Sequence, residues 1–136
     1  SFSSLSQINW TEKLFNNLGK TVILEKESQI DAVTAISGSG PAYIFNFAET
    51  VIEIGKELGL SEQISKKIVL QTIVGAGLLA NNSNKTPSKL RENVTSPNGT
   101  TQAALNILMD EKNGWHGIIK NAVFAAHKRS KILAKN

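Results

Sequence analysis

The chain has 136 residues, enough for one domain with its own core; 40% are hydrophobic, and no apolar run approaches the ~18–20 residues of a membrane span. Net charge is +4, and the excess gathers in Lys120, His127, Lys128, Arg129, Lys131 and Lys135, where cations complement a helix C-terminus; no basic cluster is interleaved with aromatics, which argues against nucleic-acid binding. The absence of cysteine excludes a disulfide scaffold, a thiolate metal site and a cysteine nucleophile, and suits a reducing, cytoplasmic setting.

Ser1-Phe2-Ser3-Ser4 has neither the basic region nor the apolar run of a secretory signal. Without an initiator Met, it reads as the interior of a longer chain. Ile8 to Leu18 predicts a short helix, with Ile8, Leu14, Phe15 and Leu18 apolar and Gly19 as its stop. Thr21-Val22-Ile23-Leu24-Glu25 is the one strand signal. A lone strand cannot make a sheet, so its partners are expected upstream or in another chain.

Ile30 to Ile36 suits strand or helix equally. Pro41 then fits the first position of a helix to about Leu58, closed by Gly59. Its polar stripe (Asn46, Glu49, Thr50, Glu53, Glu57) is narrow, so this helix is expected to be covered on more than one side, in a larger bundle or an oligomer. Ser61 caps a helix to about Ala80, in which Gly75-Ala76-Gly77 suggests close approach of another backbone, or plain flexibility. A polar loop over Asn81–Lys85 leads to Thr86-Pro87, which opens a short helix to about Val94. Further helices are predicted from Thr101 to Met109 and, after the Asn113-Gly114 turn, from Trp115 to Leu133. The fold class is all-α, with one orphan strand.

The segment Val94-Thr95-Ser96-Pro97-Asn98-Gly99-Thr100-Thr101 sets four hydroxyls, a Pro, an Asn and a Gly just ahead of a helix. Free N–H groups at a helix start favour anions, and a small carboxylate fits. The plainer reading is a capped loop, and composition alone leans that way.

Other constellations are weaker. Gly38-Ser39-Gly40-Pro41-Ala42-Tyr43 has Tyr43 where a dinucleotide fingerprint needs its third glycine, so it reads as a cap and turn. His116 and His127 are 11 residues apart with no carboxylate at ligand spacing, which argues against a metal site. Both His fall in one predicted helix, with no nucleophile elbow for a triad. Glu27 and Asp31 read as first-turn acids of a helix.

Two motifs together are far more specific. Asp31-Ala32-Val33-Thr34-Ala35-Ile36-Ser37-Gly38-Ser39-Gly40-Pro41-Ala42-Tyr43 resembles the hallmark of the pyrroline-5-carboxylate reductases, and Val94 to Thr101 resembles their second signature. Leu58-Gly59-Leu60, Gln71-Thr72, the loop with Pro87, Ala122-Val123 and Arg129-Ser130 resemble the family too. The resemblance covers essentially the whole chain. It departs at Asn98-Gly99, where the family usually has two glycines.

The resemblance implies a two-part enzyme: a Rossmann domain for NADP or NAD, and a helical dimerisation domain of the 6-phosphogluconate dehydrogenase C-terminal kind. Residues 1–27 then end the first domain and residues 28–136 form the second. The implied reaction reduces 1-pyrroline-5-carboxylate to L-proline, the last step of proline biosynthesis. By the same resemblance, Ser96 and the N–H groups of Gly99 and Thr100 hold the substrate carboxylate. Thr101 is the catalytic candidate, its hydroxyl on the ring nitrogen. Asn93, Thr34, Ser37 and Gly38 border the nicotinamide. A homodimer or larger homo-oligomer is implied, and the isolated piece is expected to be inactive. Two rival readings remain: a dimerisation module without catalysis, and a two-domain dehydrogenase of another small imine or hydroxy acid.

Overall fold

A computed structural model describes residues 3–134. The sequence readings on Ser1, Phe2 and Lys135 lie outside them. The chain divides into two compact units, with the boundary between Ile30 and Asp31.

In the first unit, α1 spans Leu5–Phe15. It starts earlier than the apolar spacing indicates because Ser4 and Gln7 form a capping box: Gln7 N–H donates to Ser4 Oγ at 3.3 Å and Ser4 N–H to Gln7 Oε1 at 2.8 Å. It also ends before Leu18. Asn17 Nδ2 donates to the carbonyls of Lys13 and Leu14 at 3.1 and 3.2 Å, so a side chain takes the place of a further helical turn. Thr21 to Glu25 forms no strand, which corrects the one strand expectation. No second strand exists among the described residues to share a ladder, and the segment is tied down locally instead. Asn16 Oδ1 accepts from Thr21 N–H at 3.1 Å and from its hydroxyl at 2.6 Å.

A 3₁₀ turn, Glu27–Gln29, leads into α2, Ile30–Val33. The ambiguous stretch is therefore helical, and it continues as a five-residue π turn, Thr34–Gly38. Next comes α3, Gly40–Glu57, with Pro41 in its first turn. Its exit is a Schellman motif: Leu60 N–H donates to Gly55 C=O and Gly59 N–H to Lys56 C=O, both at 3.0 Å, with Gly59 at φ +91°.

Ser61 caps α4, Glu62–Asn81, which packs back on α3 as a helical hairpin. Ala48 of α3 and Val69 and Ser65 of α4 are buried. The small-residue run in α4 marks no tight contact among the described residues, since a Cβ on Gly75 or Gly77 would meet nothing within 4 Å. Gly55 fills that role instead, set directly against Ser65.

The remaining helices are α5 (Pro87–Asn93), α6 (Thr100–Leu108) and α7 (Trp115–Leu133). The π turn packs on α7, where Ser130 Oγ donates to Asp31 Oδ1 at 2.6 Å. Phe47 of α3 meets Trp115 edge-on, with ring centroids 5.4 Å apart. The described residues form no strand, and no helix among them is long and apolar enough to cross a membrane.

Apolar burial is slight. Ala35, Ala48 and Val69 are the buried hydrophobic residues described, while Phe45, Ile68, Leu78, Ile107, Ile118 and Phe124 are all exposed. Few of the described apolar side chains are fully buried within one copy of the chain.

Candidate functional site

The hydroxyl-rich segment is the turn from α5 into α6. Thr86 Oγ1 caps α5 by accepting from Lys89 N–H at 3.2 Å. The helix unwinds at Val94, and Thr95 closes its end: Thr95 N–H donates to Glu92 C=O at 3.0 Å, and Thr95 Oγ1 to Arg91 C=O at 2.7 Å. One of the four hydroxyls is thereby spent on the helix terminus. The Lys89 ammonium, 2.9 Å from Glu92, hydrogen-bonds its carboxylate and holds it below the ordinary carboxylate range. Glu92 is thus anionic at neutral pH and no proton donor.

The chain then reverses. Gly99 N–H donates to Ser96 C=O at 3.0 Å, and Asn98 takes φ +58°. This left-handed conformation is open to Asn at small cost, so the departure from a double glycine keeps the turn. At Gly99 a side chain has little room, because a Cβ there would lie 3.1 Å from Ser96 O.

Gly99 is the N-cap of α6 and offers no side chain to the helix start. The first bond back across the cap is Ala103 N–H to Gly99 C=O at 3.2 Å. The N–H groups of Thr100, Thr101 and Gln102 therefore lead the helix without an acceptor among the described residues. The hydroxyls of Ser96, Thr100 and Thr101 make no hydrogen bond within the described chain, and all three residues are exposed. Three hydroxyls and three N–H groups are thus uncommitted around the positive end of a helix, the kind of donors that favour a small anion.

Thr34, Ser37 and Gly38 lie apart from these donors in sequence, on the π turn, and all three are exposed. The Thr34 and Ser37 hydroxyls are uncommitted among the described residues, and Gly38 adds no bulk to the turn. Asn93 is the last residue of α5 and is exposed. No hydrogen bond joins the π turn to the start of α6 among the described residues.

Sequence reasoning missed Tyr43, quoted within the first motif but given no role. Its hydroxyl donates to the carbonyl of Ala35, inside the π turn, at 2.9 Å. A tyrosine eight residues after a buried alanine carries no pattern that periodicity can detect.

A family model described as "Pyrroline-5-carboxylate reductase dimerisation" matches residues 27–133. The chain is similar to the pyrroline-5-carboxylate reductase of Pseudomonas aeruginosa, 42% identical over 132 residues, covering 97% of this chain and 48% of the relative. The Pisum sativum reductase is 40% identical over 126 residues, covering 93% of this chain and 45% of the relative. Among solved structures, a Coxiella burnetii pyrroline-5-carboxylate reductase aligns with TM-score 0.91 at 34% identity, covering 96% of this chain and 48% of that one. A Plasmodium falciparum pyrroline carboxylate reductase with NADP bound aligns with TM-score 0.82 at 37% identity, covering 97% of this chain and 52% of that one. The chain spans about half the length of the curated relatives it matches.

Proposed function

This chain belongs to the pyrroline-5-carboxylate reductase family, and we propose that it supplies the helical, substrate-holding half of an enzyme that reduces 1-pyrroline-5-carboxylate to L-proline with NAD(P)H. The observation that carries the reading is the set of uncommitted donors at the start of α6. A cyclic imino acid has one carboxylate to seat and one ring nitrogen to address.

In this reading the carboxylate rests on Ser96 Oγ and the N–H group of Thr100, while Gly99, whose own N–H is held by Ser96 C=O, shapes the turn instead of donating to the substrate as the resemblance implied. The helix end adds its positive potential. Thr101 Oγ1, one residue into α6, faces the ring nitrogen. Reduced nicotinamide, when bound, supplies a hydride to the C=N carbon. The nitrogen then carries the electron pair of the former double bond and needs one proton to become the amine. Thr101 orients that nitrogen and relays the proton from water. Thr34, Ser37, Gly38 and Asn93 hold the nicotinamide end of the cofactor, whose larger part belongs to a dinucleotide-binding domain beyond residues 28–136.

A second copy of the chain completes the fold. Support comes from the thin core and from an open groove of about 490 Å³ between α3 and α7, lined by Phe47, Trp115, Ile118 and Ile119. Covering such apolar surface drives association. The test of the reaction is direct: the full-length protein carrying this chain, given pyrroline-5-carboxylate and NAD(P)H, consumes reduced cofactor and yields proline in equal amounts. Cofactor binding without consumption would favour another substrate.

A further inference from the structure

We infer that Tyr43 is a positioning residue whose hydroxyl holds the π turn at Thr34–Gly38 in the shape that offers Thr34, Ser37 and Gly38 to the cofactor. The inference rests on the reductase reading above and deepens it.

Ala35 is 1% exposed, so its C=O is shut off from water and must find a partner in the protein. In an α-helix that partner would be the N–H of Ser39, four residues on. Here Ser39 N–H reaches one residue further back and donates to Thr34 C=O at 2.9 Å. The π turn therefore takes Ala35's α-helical donor away. Tyr43 Oη adds a side-chain donor there, reaching Ala35 O at 2.9 Å from the first turn of α3. Pro41 has no N–H, so Ser37 C=O has no helical donor either.

Without the hydroxyl, the buried carbonyl would lose this side-chain donor. The nearest relief is for Ser39 N–H to return to Ala35, which converts the π turn to α geometry. That change removes the bulge and rotates Ser37 and Gly38 about the helix axis relative to Thr34. Single π turns inside helices recur at functional sites, where such re-aiming is their use. The brace thus acts through the turn, not by touching the cofactor.

The experiment uses the full-length enzyme, wild type beside Tyr43→Phe. Gly55→Ala serves as a control that loosens the α3–α4 seam and leaves the turn alone. Steady-state kinetics give KM for each substrate, and a fluorescence titration reads NAD(P)H affinity independently. Tyr43→Phe is expected to raise cofactor KM and Kd about three- to tenfold, the range set by one lost hydrogen bond. KM for pyrroline-5-carboxylate should stay within about twofold. Gly55→Ala should lower the melting temperature and move neither KM. Tyr43→Phe that costs melting temperature while cofactor affinity stays unchanged would overturn the inference, as would an equal rise in both KM values. A wild type that does not reduce pyrroline-5-carboxylate would instead overturn the reductase reading, and the titration would still report on Tyr43.

Discussion

A Cβ built on Gly55 would stand 2.6 Å from Ser65 Oγ and 3.0 Å from Ser65 Cβ. Here α3 and α4 meet without room for a further atom, and Ser65 has no exposed surface. Gly55→Ala should destabilise the chain by about 1–3 kcal/mol through overpacking, against about 1 kcal/mol gained in helix propensity. The Ser65 hydroxyl finds no hydrogen-bond partner among the described residues. Ser65→Ala should therefore raise stability by about 1 kcal/mol, since an unmet buried hydroxyl is removed. Thermal denaturation of the two variants checks both signs.

Ser130 Oγ meets the Asp31 carboxylate at 2.6 Å across 99 positions of sequence. Both residues are half-buried, and the bond ties the end of α7 to the segment entering the π turn. Ser130→Ala should cost about 1–2 kcal/mol, the range for a hydrogen bond to a charged acceptor with some exposure. Chemical denaturation reads the loss. Asp31→Asn keeps an acceptor and should cost less.

At Asn98 the left-handed backbone decides the outcome. Asn98→Gly should be neutral within about 0.5 kcal/mol, while Asn98→Ala should cost about 1 kcal/mol because a methyl group lacks the local polar contacts by which Asn offsets the crowding of Cβ in this conformation. In the full-length enzyme, Asn98→Ala should also raise KM for the imino acid, because the strain falls on the turn carrying Ser96 to Thr101. Parallel melting curves and kinetics test the two expectations.

The thin core leads to a mass-action expectation. If a second copy covers the groove lined by Phe47, Trp115 and Ile118, the melting temperature of the full-length protein should rise with protein concentration. Sedimentation at the same concentrations should show association. A melting temperature independent of concentration, for a protein that sediments as a monomer, would contradict this.

Much of this was legible because local chemistry dominates helix ends. Pro41, Ser61, Thr86-Pro87, Gly59 and Gly114 mark boundaries through their own caps and dihedrals, and those helices fall close to where they are expected. Hydrophobic spacing served less well at α1, where polar Ser4, Gln7 and Asn17 set both ends through hydrogen bonds. Thr21 to Glu25 has strand-forming residues but no described neighbour to pair with, and strand formation depends on that neighbour. At the candidate site, the hydroxyls and the helix start are local features and could be read. The diversion of the Thr95 hydroxyl to Arg91 C=O and the Tyr43 brace could not, since each depends on a particular backbone path. Gly75-Ala76-Gly77 suggests close approach of another backbone or plain flexibility, and composition cannot show that the tight contact between α3 and α4 lies at Gly55.

The central claim is that the start of α6 seats the imino acid and that Thr101 addresses its nitrogen. The most direct test is turnover of pyrroline-5-carboxylate by the full-length enzyme, comparing wild type, Thr101→Ala and Thr101→Ser by loss of reduced cofactor. The account predicts that Thr101→Ala lowers kcat by ~10²-fold or more, the usual scale for a lost proton-handling group, while Thr101→Ser retains most of the activity. Thr101→Ala working within about tenfold of wild type would contradict a hydroxyl acting at the reacting nitrogen.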